Sequence, residues 1–392
     1  MMLTVRDVCT ASFPEVECYV LTFHDRQNHM YENERLHPVR MRPLRRPLSA
    51  VGTVVRRLGL SGRRGVDLSK ASTAGLINPY GLTNAVIDIS GFATGDQWGA
   101  KAALMRWQTA VEIRRAGNKL IYMPQSWGPF ADRQVGKYAR RMCNQADLVF
   151  AREKLSYDSL MALEAIDTHR IHLAPDIGFQ FRPAPEEEAS EILACHCLRE
   201  DGEPVVALTP NMRIYERQEG KGRRNAYVHV FADIVQWFQH ELGARVVLIP
   251  HEIWGDRPDD VRLCQFLLQE APYADRICML SSGTTAAQIK AIIGQADFLV
   301  ASRYHSLVAA FSMRVPVAVV GWSHKYDELM ETAQLRDWCA DPVRRDSEGV
   351  LHMIRRAWDR RDEIRASLQA ALPKLEDQSR RSLQMMVEQI LE

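Results

Sequence analysis

The stretch ADFLVASRYHSLVAAFSMRVPVAVVGW, residues 296–322, decides the fold. DFLVAS, ending at Ser302, and VPVAVVGW, ending at Trp322, are continuous apolar runs of strand length rather than alternating ones. Such runs suit strands covered on both faces, as in a parallel sheet whose crossovers are helices. The intervening segment is of helix length and carries Arg303 and His305 in its first turn. Strand, helix and strand in this order form a βαβ unit.

The pattern extends outward. PVVALTP ending at Pro210, RVVLIPHE ending at Glu252 and DRICML ending at Leu280 alternate with helical segments, so residues 204–340 read as one α/β domain. NAVIDISGF ending at Phe92, NKLIYMPQ ending at Gln125, ADLVFA ending at Ala151 and RIHLAP ending at Pro175 make residues 1–181 a second domain of that class. A Pro- and Glu-rich stretch beginning at Phe181 separates them, and 182–203 is expected to be a linker. Ile354, Trp358, Ile364, Leu368 and Leu372 fall at helical spacing, so 341–392 is expected to form helices bracing the two lobes.

A chain of 392 residues exceeds what one hydrophobic core organises, which agrees with two domains. Hydrophobic residues at 46% and charged residues at 25% exclude a disordered chain. A net charge of +1 supplies no basic field, so nucleic acid is not expected as a partner. Eight cysteines are too sparse for a secreted disulfide scaffold, and no apolar run reaches membrane-spanning length; a cytoplasmic location follows. Nine arginines and no acidic residue lie between Arg35 and Gly65. That basic arm is read as a solvated insertion, with peripheral contact to the anionic inner membrane surface as the alternative.

Ligands of open α/β sheets bind beyond the carboxyl ends of the strands, and those loops are rich in functional groups here. Arg303 and His305 open a helix directly after a strand, where free backbone N–H groups, the helix dipole and a guanidinium fork all favour an anion. A surface ion pair is the ordinary alternative for Arg303. GWSHKYDELM adds His324 and Lys325 after the next strand, Lys325 suited to a second anionic oxygen. His251, beside Glu252, is a candidate acid or base because an ordinary imidazole titrates near working pH. In the first domain DISGFATGDQWG supplies Asp88, Ser90 and Asp96, and PQSWGPF supplies Gln125 and Trp127. These groups suit a sugar, with Trp127 offering a face to the ring, or else they are turn chemistry and a packed aromatic. Cys195-His196-Cys197 lacks zinc-knuckle spacing and a second ligand pair, so no metal is expected.

Taken in order, DISGFATGDQWG, YMPQSWGPF, LVFAREKLSYDSL, APDIGF, LIPHE, SRYHSLVAAFSMRVPVAVVGW and HKY resemble the motif set of the polysaccharide pyruvyl transferase family, from roughly residue 84 to residue 335. The resemblance implies two Rossmann-like domains facing a cleft, as in GT-B-type glycosyltransferases. It implies transfer of a pyruvyl group from phosphoenolpyruvate to a saccharide, making a pyruvate ketal on a cell-surface or extracellular polysaccharide precursor, with phosphoenolpyruvate as co-substrate and no cofactor. The donor would meet Arg303, Lys325, Ser302 and His324 in the second domain. The saccharide, free or lipid-linked, would meet Asp88, Ser90, Asp96, Gln125 and Trp127 in the first. His305 would be the acid that protonates the enol carbon, with His251 as rival acid or as base.

The resemblance implies an opening strand and a glycine-rich loop ahead of MMLTVRDVCTASFPEVECYVLTF; that stretch reads as the helix and strand that follow them, so the first domain is expected to lack its opening strand and loop. Two other functions use the same fold class: a GT-B-type glycosyltransferase taking a sugar nucleotide, and a non-catalytic carbohydrate-binding homologue.

Overall fold

Residues 298–301 and 317–320 lie side by side in parallel register, Leu299 opposite Val317 and Ala301 opposite Val319, with the helix Tyr304–Met313 between them in sequence. The structure, a computed structural model, describes residues 1–13, 15–22, 36–40, 52–57, 80, 83–195, 202–254, 258–321 and 323–392. They divide into two units, Met1–Phe181 with Glu376–Glu392, and Arg182–Leu375.

The first unit contains, in chain order, α1 (Met2–Ser12), β1 (Val16–Thr22), β2 (His37–Arg40), β3 (Gly52–Arg57), β4 (Ala85–Asp88), β5 (Phe92–Thr94), α2 (Gly99–Arg115), β6 (Lys119–Trp127), α3 (Arg133–Cys143), β7 (Leu148–Ala151), α4 (Lys154–Met161) and β8 (Ile171–Leu173). Its strands are ordered β2-β1-β3-β4-β6-β7-β8, with β5 beside the end of β6. β4, β6, β7 and β8 are parallel; the apolar runs of β4, β6 and β7 are buried as the sequence pattern requires, while the edge strand β8 exposes Leu173. Successive β6 residues point to opposite sides. Leu120 and Tyr122 pack with Ala110 and Ile113 of α2 and Met142 and Cys143 of α3. Ile121 and Met123 pack with Val5 and Cys9 of α1 and with Leu383 and Met386 near the C-terminus.

Two expectations for this unit are corrected. The sheet is mixed, because β3 runs antiparallel to both β1 and β4. The arginine-rich stretch is also not wholly an arm, since it contributes β2 and β3. It carries no helix-length apolar period, and antiparallel neighbours need no helical crossover. Residues 35, 41–51 and 58–65 lie outside the described residues, so both readings of this stretch, solvated insertion and the alternative of membrane contact, fall largely on them.

The second unit contains α5 (Glu186–Cys195), β9 (Val205–Thr209), α6 (Met212–Tyr215), α7 (Ala226–Leu242), β10 (Arg245–Leu248), α8 (Asp260–Glu270), β11 (Ile277–Met279), α9 (Ala286–Gly294), β12 (Phe298–Ala301), α10 (Tyr304–Met313), β13 (Val317–Val320), α11 (His324–Glu331), β14 (Cys339–Ala340) and α12 (Ser347–Asp359). The order β11-β10-β9-β12-β13-β14, all parallel, is the 3-2-1-4-5-6 order of a Rossmann-like sheet. Phe238 of α7, Phe298 of β12 and Trp358 of α12 meet at 5.6–6.1 Å between ring centroids and form the aromatic centre of one face.

The segment 182–195, expected as linker, is part of this unit: Ala184 N–H donates to Ala287 O at 2.9 Å, and Gln295 Nε2 donates to Ser190 Oγ at 2.9 Å. The C-terminal residues are divided between the two units. The last helix, α13 (Arg361–Leu391), contributes its residues up to Leu375 to the second unit and those from Glu376 to the first.

The loop after β5 depends on a close approach of backbone. Gly128 N–H donates to Thr94 O at 3.0 Å and Asp96 N–H to Pro129 O at 3.3 Å, which brings Gly95 against Gly128. A Cβ on Gly95 would lie 2.3 Å from the Gly128 carbonyl oxygen, a distance no side chain tolerates. Gly95→Ala is expected to destabilise the first unit by about 1–3 kcal/mol through this overpacking, measured by denaturant unfolding. An unchanged midpoint would mean that the two loops do not meet as described.

Candidate functional site

In the second sheet β9 and β12 are neighbours whose chains continue to opposite sides, β9 toward β10 and β12 toward β13. Such a switch point leaves a crevice beyond the carboxyl ends of the strands. The segments leaving β9, β10, β12 and β13 carry Asn211, His251 and Glu252, Arg303, and His324 and Lys325.

Asp260, in the first turn of α8 and wholly buried, organises this end of the sheet. Its Oδ1 accepts from Met212 N–H at 2.9 Å, and its Oδ2 accepts from the N–H groups of His251 at 3.2 Å and Glu252 at 2.9 Å. Oδ1 also pairs with Arg303 Nη2. Arg303 Nη1 donates to Glu252 Oε2 at 2.8 Å, while Glu252 Oε1 accepts from Arg213 Nη2 at 2.8 Å and from Trp254 Nε1 at 2.7 Å. With Glu216, which accepts from Arg213 Nη1 at 3.0 Å, two arginines and three carboxylates therefore form one network. Burial acts to raise the Glu252 carboxyl, but the hydrogen bonds from Arg213, Trp254 and Arg303 outweigh it and hold the group down at about 2.

The geometry changes the reading of several donor-side residues. Arg303 is not an open fork, because both terminal nitrogens are engaged by the protein's own carboxylates; its Nε is buried without a partner. Nor is this a surface ion pair, since the Arg303 side chain is only 15% exposed. Ser302 is a strut: its hydroxyl donates to Val320 O at 2.6 Å, and its carbonyl accepts from Asn211 Nδ2 and Tyr326 Oη, both at 2.8 Å. His251 departs from the expectation of a group titrating near neutrality. Burial, assisted by the nearby Arg303 charge, pushes its imidazole down to about 4, so near neutral pH it carries no extra proton to supply.

His305 is exposed in the first turn of α10, beside the Tyr304 ring at 6.0 Å. The N-cap residue Arg303 makes no side-chain capping bond there, and the positive end of the helix dipole favours an anion. Lys325 places Nζ 5.6 Å from the Tyr304 ring centroid and 5.3 Å from that of Tyr326. His324 is half-buried, with Nε2 enclosed and unpartnered.

In the first unit Asp88 pairs with Arg106 at 2.9 Å and accepts from Ser90 N–H at 2.8 Å, while the Ser90 hydroxyl lies 3.3 Å from Arg106 Nη2. Asp96 accepts from the N–H groups of Ala131 at 2.9 Å and Asp132 at 3.3 Å, tying two loops together. Gln125 and Trp127 are buried, and Trp127 donates Nε1–H to Phe150 O at 3.0 Å while packing edge-on to Tyr122. Trp127 is therefore a core aromatic and offers no face to a sugar. Among the described residues the exposed indole is Trp98 in DQWG, 52% accessible and edge-on to Phe92.

Sequence reasoning also passed over the buried Arg152, which pairs with Glu153 at 2.6 Å and Asp176 at 2.9 Å and donates to Ser126 Oγ at 2.8 Å. Burial opposes ionisation of Glu153, and Arg152 more than compensates, keeping the carboxyl below its ordinary range. The charged run AREK and the APD turn were the available signals for this cluster.

The family model for polysaccharide pyruvyl transferase matches residues 32–324. Among solved structures, Anabaena Alr3699/HepE in complex with UDP is similar over 99% of this chain and 94% of its own, with 14% identity and a TM-score of 0.57. A glycosyltransferase from Rickettsia africae ESF-5 is similar over 95% of this chain and 90% of its own, with 10% identity and a TM-score of 0.51. UDP-GlcNAc 2-epimerase from Neisseria meningitidis bound to UDP-GlcNAc is similar over 76% and 75%, with 10% identity and a TM-score of 0.52. At these identities the likeness shows the fold alone, two Rossmann-like α/β units of the GT-B kind. No curated protein sequence matches significantly.

The network makes stability depend on pH in a direction that can be checked. An unfolded His251 takes up a proton near its ordinary 6.5, whereas the folded one resists until about 4, so stability falls as pH drops through that window. The Glu252 contribution is present above its ordinary 4.5 and is lost as pH falls toward about 2. His251→Gln should flatten the upper part of this decline in urea unfolding, and an unaltered slope would count against a buried neutral imidazole. Asp260→Ala is expected to cost about 3–5 kcal/mol, because it strands Arg303 and three backbone N–H groups. A loss near zero would remove Asp260 from the centre of the network.

Proposed function

The chain belongs to the polysaccharide pyruvyl transferase family, and on that premise we propose that it transfers a pyruvyl group from phosphoenolpyruvate to two hydroxyls of a saccharide, forming a pyruvate ketal. The observation that supports this reading is the set of groups at the switch point: a helix start without a side-chain cap with His305 exposed on it, Lys325 after the next strand, and a neutral His251 two strands away. Phosphoenolpyruvate carries a carboxylate and a phosphate, and helix N–H groups and an ammonium are suited to both.

Protonation of the enol methylene carbon makes it a methyl group and leaves a cation-like centre at the neighbouring carbon. Two saccharide hydroxyls add there while the carbon–oxygen bond to phosphate breaks. One hydroxyl proton balances the new methyl C–H bond, and the other leaves with inorganic phosphate. In this proposal His305 supplies the first proton and His251 accepts one from a hydroxyl. Arg303 and Arg213 act by holding the loops in place rather than by clamping the donor. On the acceptor side Trp98 offers an aromatic face to a sugar ring, and Asp96 holds its loop. No cofactor enters, since phosphoenolpyruvate is itself the activated donor. The free state of the seven described cysteines supports placing the reaction in the cytoplasm. Among the described residues no helix is long and apolar enough to cross a membrane.

The test is incubation of the full chain with phosphoenolpyruvate and oligosaccharide acceptors, following phosphate release and the ketal methyl signal by NMR. His305→Gln should lower kcat by about a hundredfold or more with little change in the donor KM. Retained turnover in that variant would remove His305 from the acid role. Turnover with UDP-sugars and none with phosphoenolpyruvate would replace the pyruvyl reading with glycosyl transfer. Saccharide binding without turnover of either donor would make the chain a carbohydrate-binding homologue.

A further inference from the structure

A cavity of about 440 Å³ in the first unit lies apart from every group used above and is lined by Trp107, Arg140, Arg141, Asn144, Gln145 and Ala165. Its volume falls in the range of small-molecule sites. Arg140 and Arg141 belong to the last turn of α3, Asn144 and Gln145 to the connection into β7, and Ala165 to the connection into β8. Helix-to-strand connections reach the amino ends of parallel strands, so this cavity is at the opposite edge of the sheet from the loops where such folds usually bind their substrates.

The lining is charged and held in place. The Arg141 guanidinium sits 5.0 Å from the Trp107 ring centroid, and Trp107 stacks on Tyr138 at 5.8 Å with an interplanar angle of 21°. Arg140 Nη1 donates to Glu164 O at 3.1 Å. Asn144 donates to Ala165 O at 3.0 Å and accepts from Asp167 N–H at 3.1 Å, which clamps the turn that holds Ala165 at φ 56°. A left-handed alanine is disfavoured, and such backbone outliers concentrate at sites of function. Neither arginine pairs with a carboxylate among the described residues. Asp147, two residues beyond Gln145, is already paired with Arg114 at 2.6 Å and accepts from Leu120 N–H at 2.7 Å. A helix carboxyl terminus carries only about half an elementary negative charge, so two guanidinium groups exceed what the end of α3 itself requires.

We propose that this cavity binds a phosphoryl group, using Arg140 and Arg141 as a pre-set pair of forks and Gln145 as a further donor. The chemistry is common to a small phosphorylated ligand and to a phospholipid headgroup. The inference does not depend on the transferase reading, because none of its residues takes part in the reaction proposed above.

The experiment compares the full-length protein with Arg140→Gln/Arg141→Gln, and with Gln145→Glu, which leaves the stack on Trp107 intact. The probes are inorganic pyrophosphate by calorimetry and flotation with phosphatidylcholine vesicles with and without phosphatidylglycerol. Pyrophosphate affinity at one site should fall by about tenfold or more in both variants, as expected when charge-assisted bonds are lost. If the difference instead appears only with phosphatidylglycerol vesicles, the phosphoryl group is that of a lipid headgroup. Should the double variant fail to fold, Gln145→Glu decides. Binding of both probes equally well to the original protein and to the folded variants would overturn the proposal.

Discussion

The buried carboxylate of Asp260 is the constraint on which the second unit's functional edge depends. One side chain receives the backbone of Met212 after β9, the backbone of His251 and Glu252 after β10, and the guanidinium of Arg303 after β12. Three strand-end segments are thereby held to one point at the start of α8, where the helix dipole also favours a negative charge. A buried charge without partners would be very costly, and the partners here are at once backbone and side chain. Arg303 follows from Asp260: it answers the second carboxylate, Glu252, which in turn ties down Arg213 and Trp254.

Arg152 has a comparable role in the first unit. It joins Glu153 at the start of α4, Asp176 after β8 and Ser126 near the end of β6. Both units thus fix the carboxyl ends of their parallel strands with an arginine between two carboxylates. Such clusters look like ligand sites in a sequence, because clustered charge after a strand is also what an anion or sugar site needs. Their burial, with the Arg152 side chain 3% exposed, shows that they hold loops in register.

The groups proposed above for chemistry lie beside the Asp260 network: the start of α10 with the exposed His305, the half-buried Lys325, and a His251 kept neutral by burial beside a cation. The network behind these groups bears on His251 directly: burial and the nearby Arg303 charge hold its imidazole low. Membership of the pyruvyl transferase family gives this arrangement its chemical context, whereas the solved structures of similar shape speak only to the two Rossmann-like units.

The alternation of short apolar runs with helical segments was sufficient by itself to determine the α/β class and the parallel core strands, while the family rested on the resemblance of the ordered motifs. Burial on both faces forces continuous apolar runs, and motif order is written directly in the chain. It also marked the strand-end loops that carry His251, Arg303, His305 and Lys325, because ligand position follows from topology. Only the tertiary structure decided which polar residues there face inward. Arg303 and Ser302 turned out to be struts, Trp127 a core aromatic and Trp98 the exposed one, since burial depends on partners distant in sequence, such as Asp260 for Arg303 and Phe150 for Trp127. The strands β2 and β3 within an arginine-rich stretch were hidden for the same reason: their stability comes from pairing with β1 and β4, not from a local apolar period.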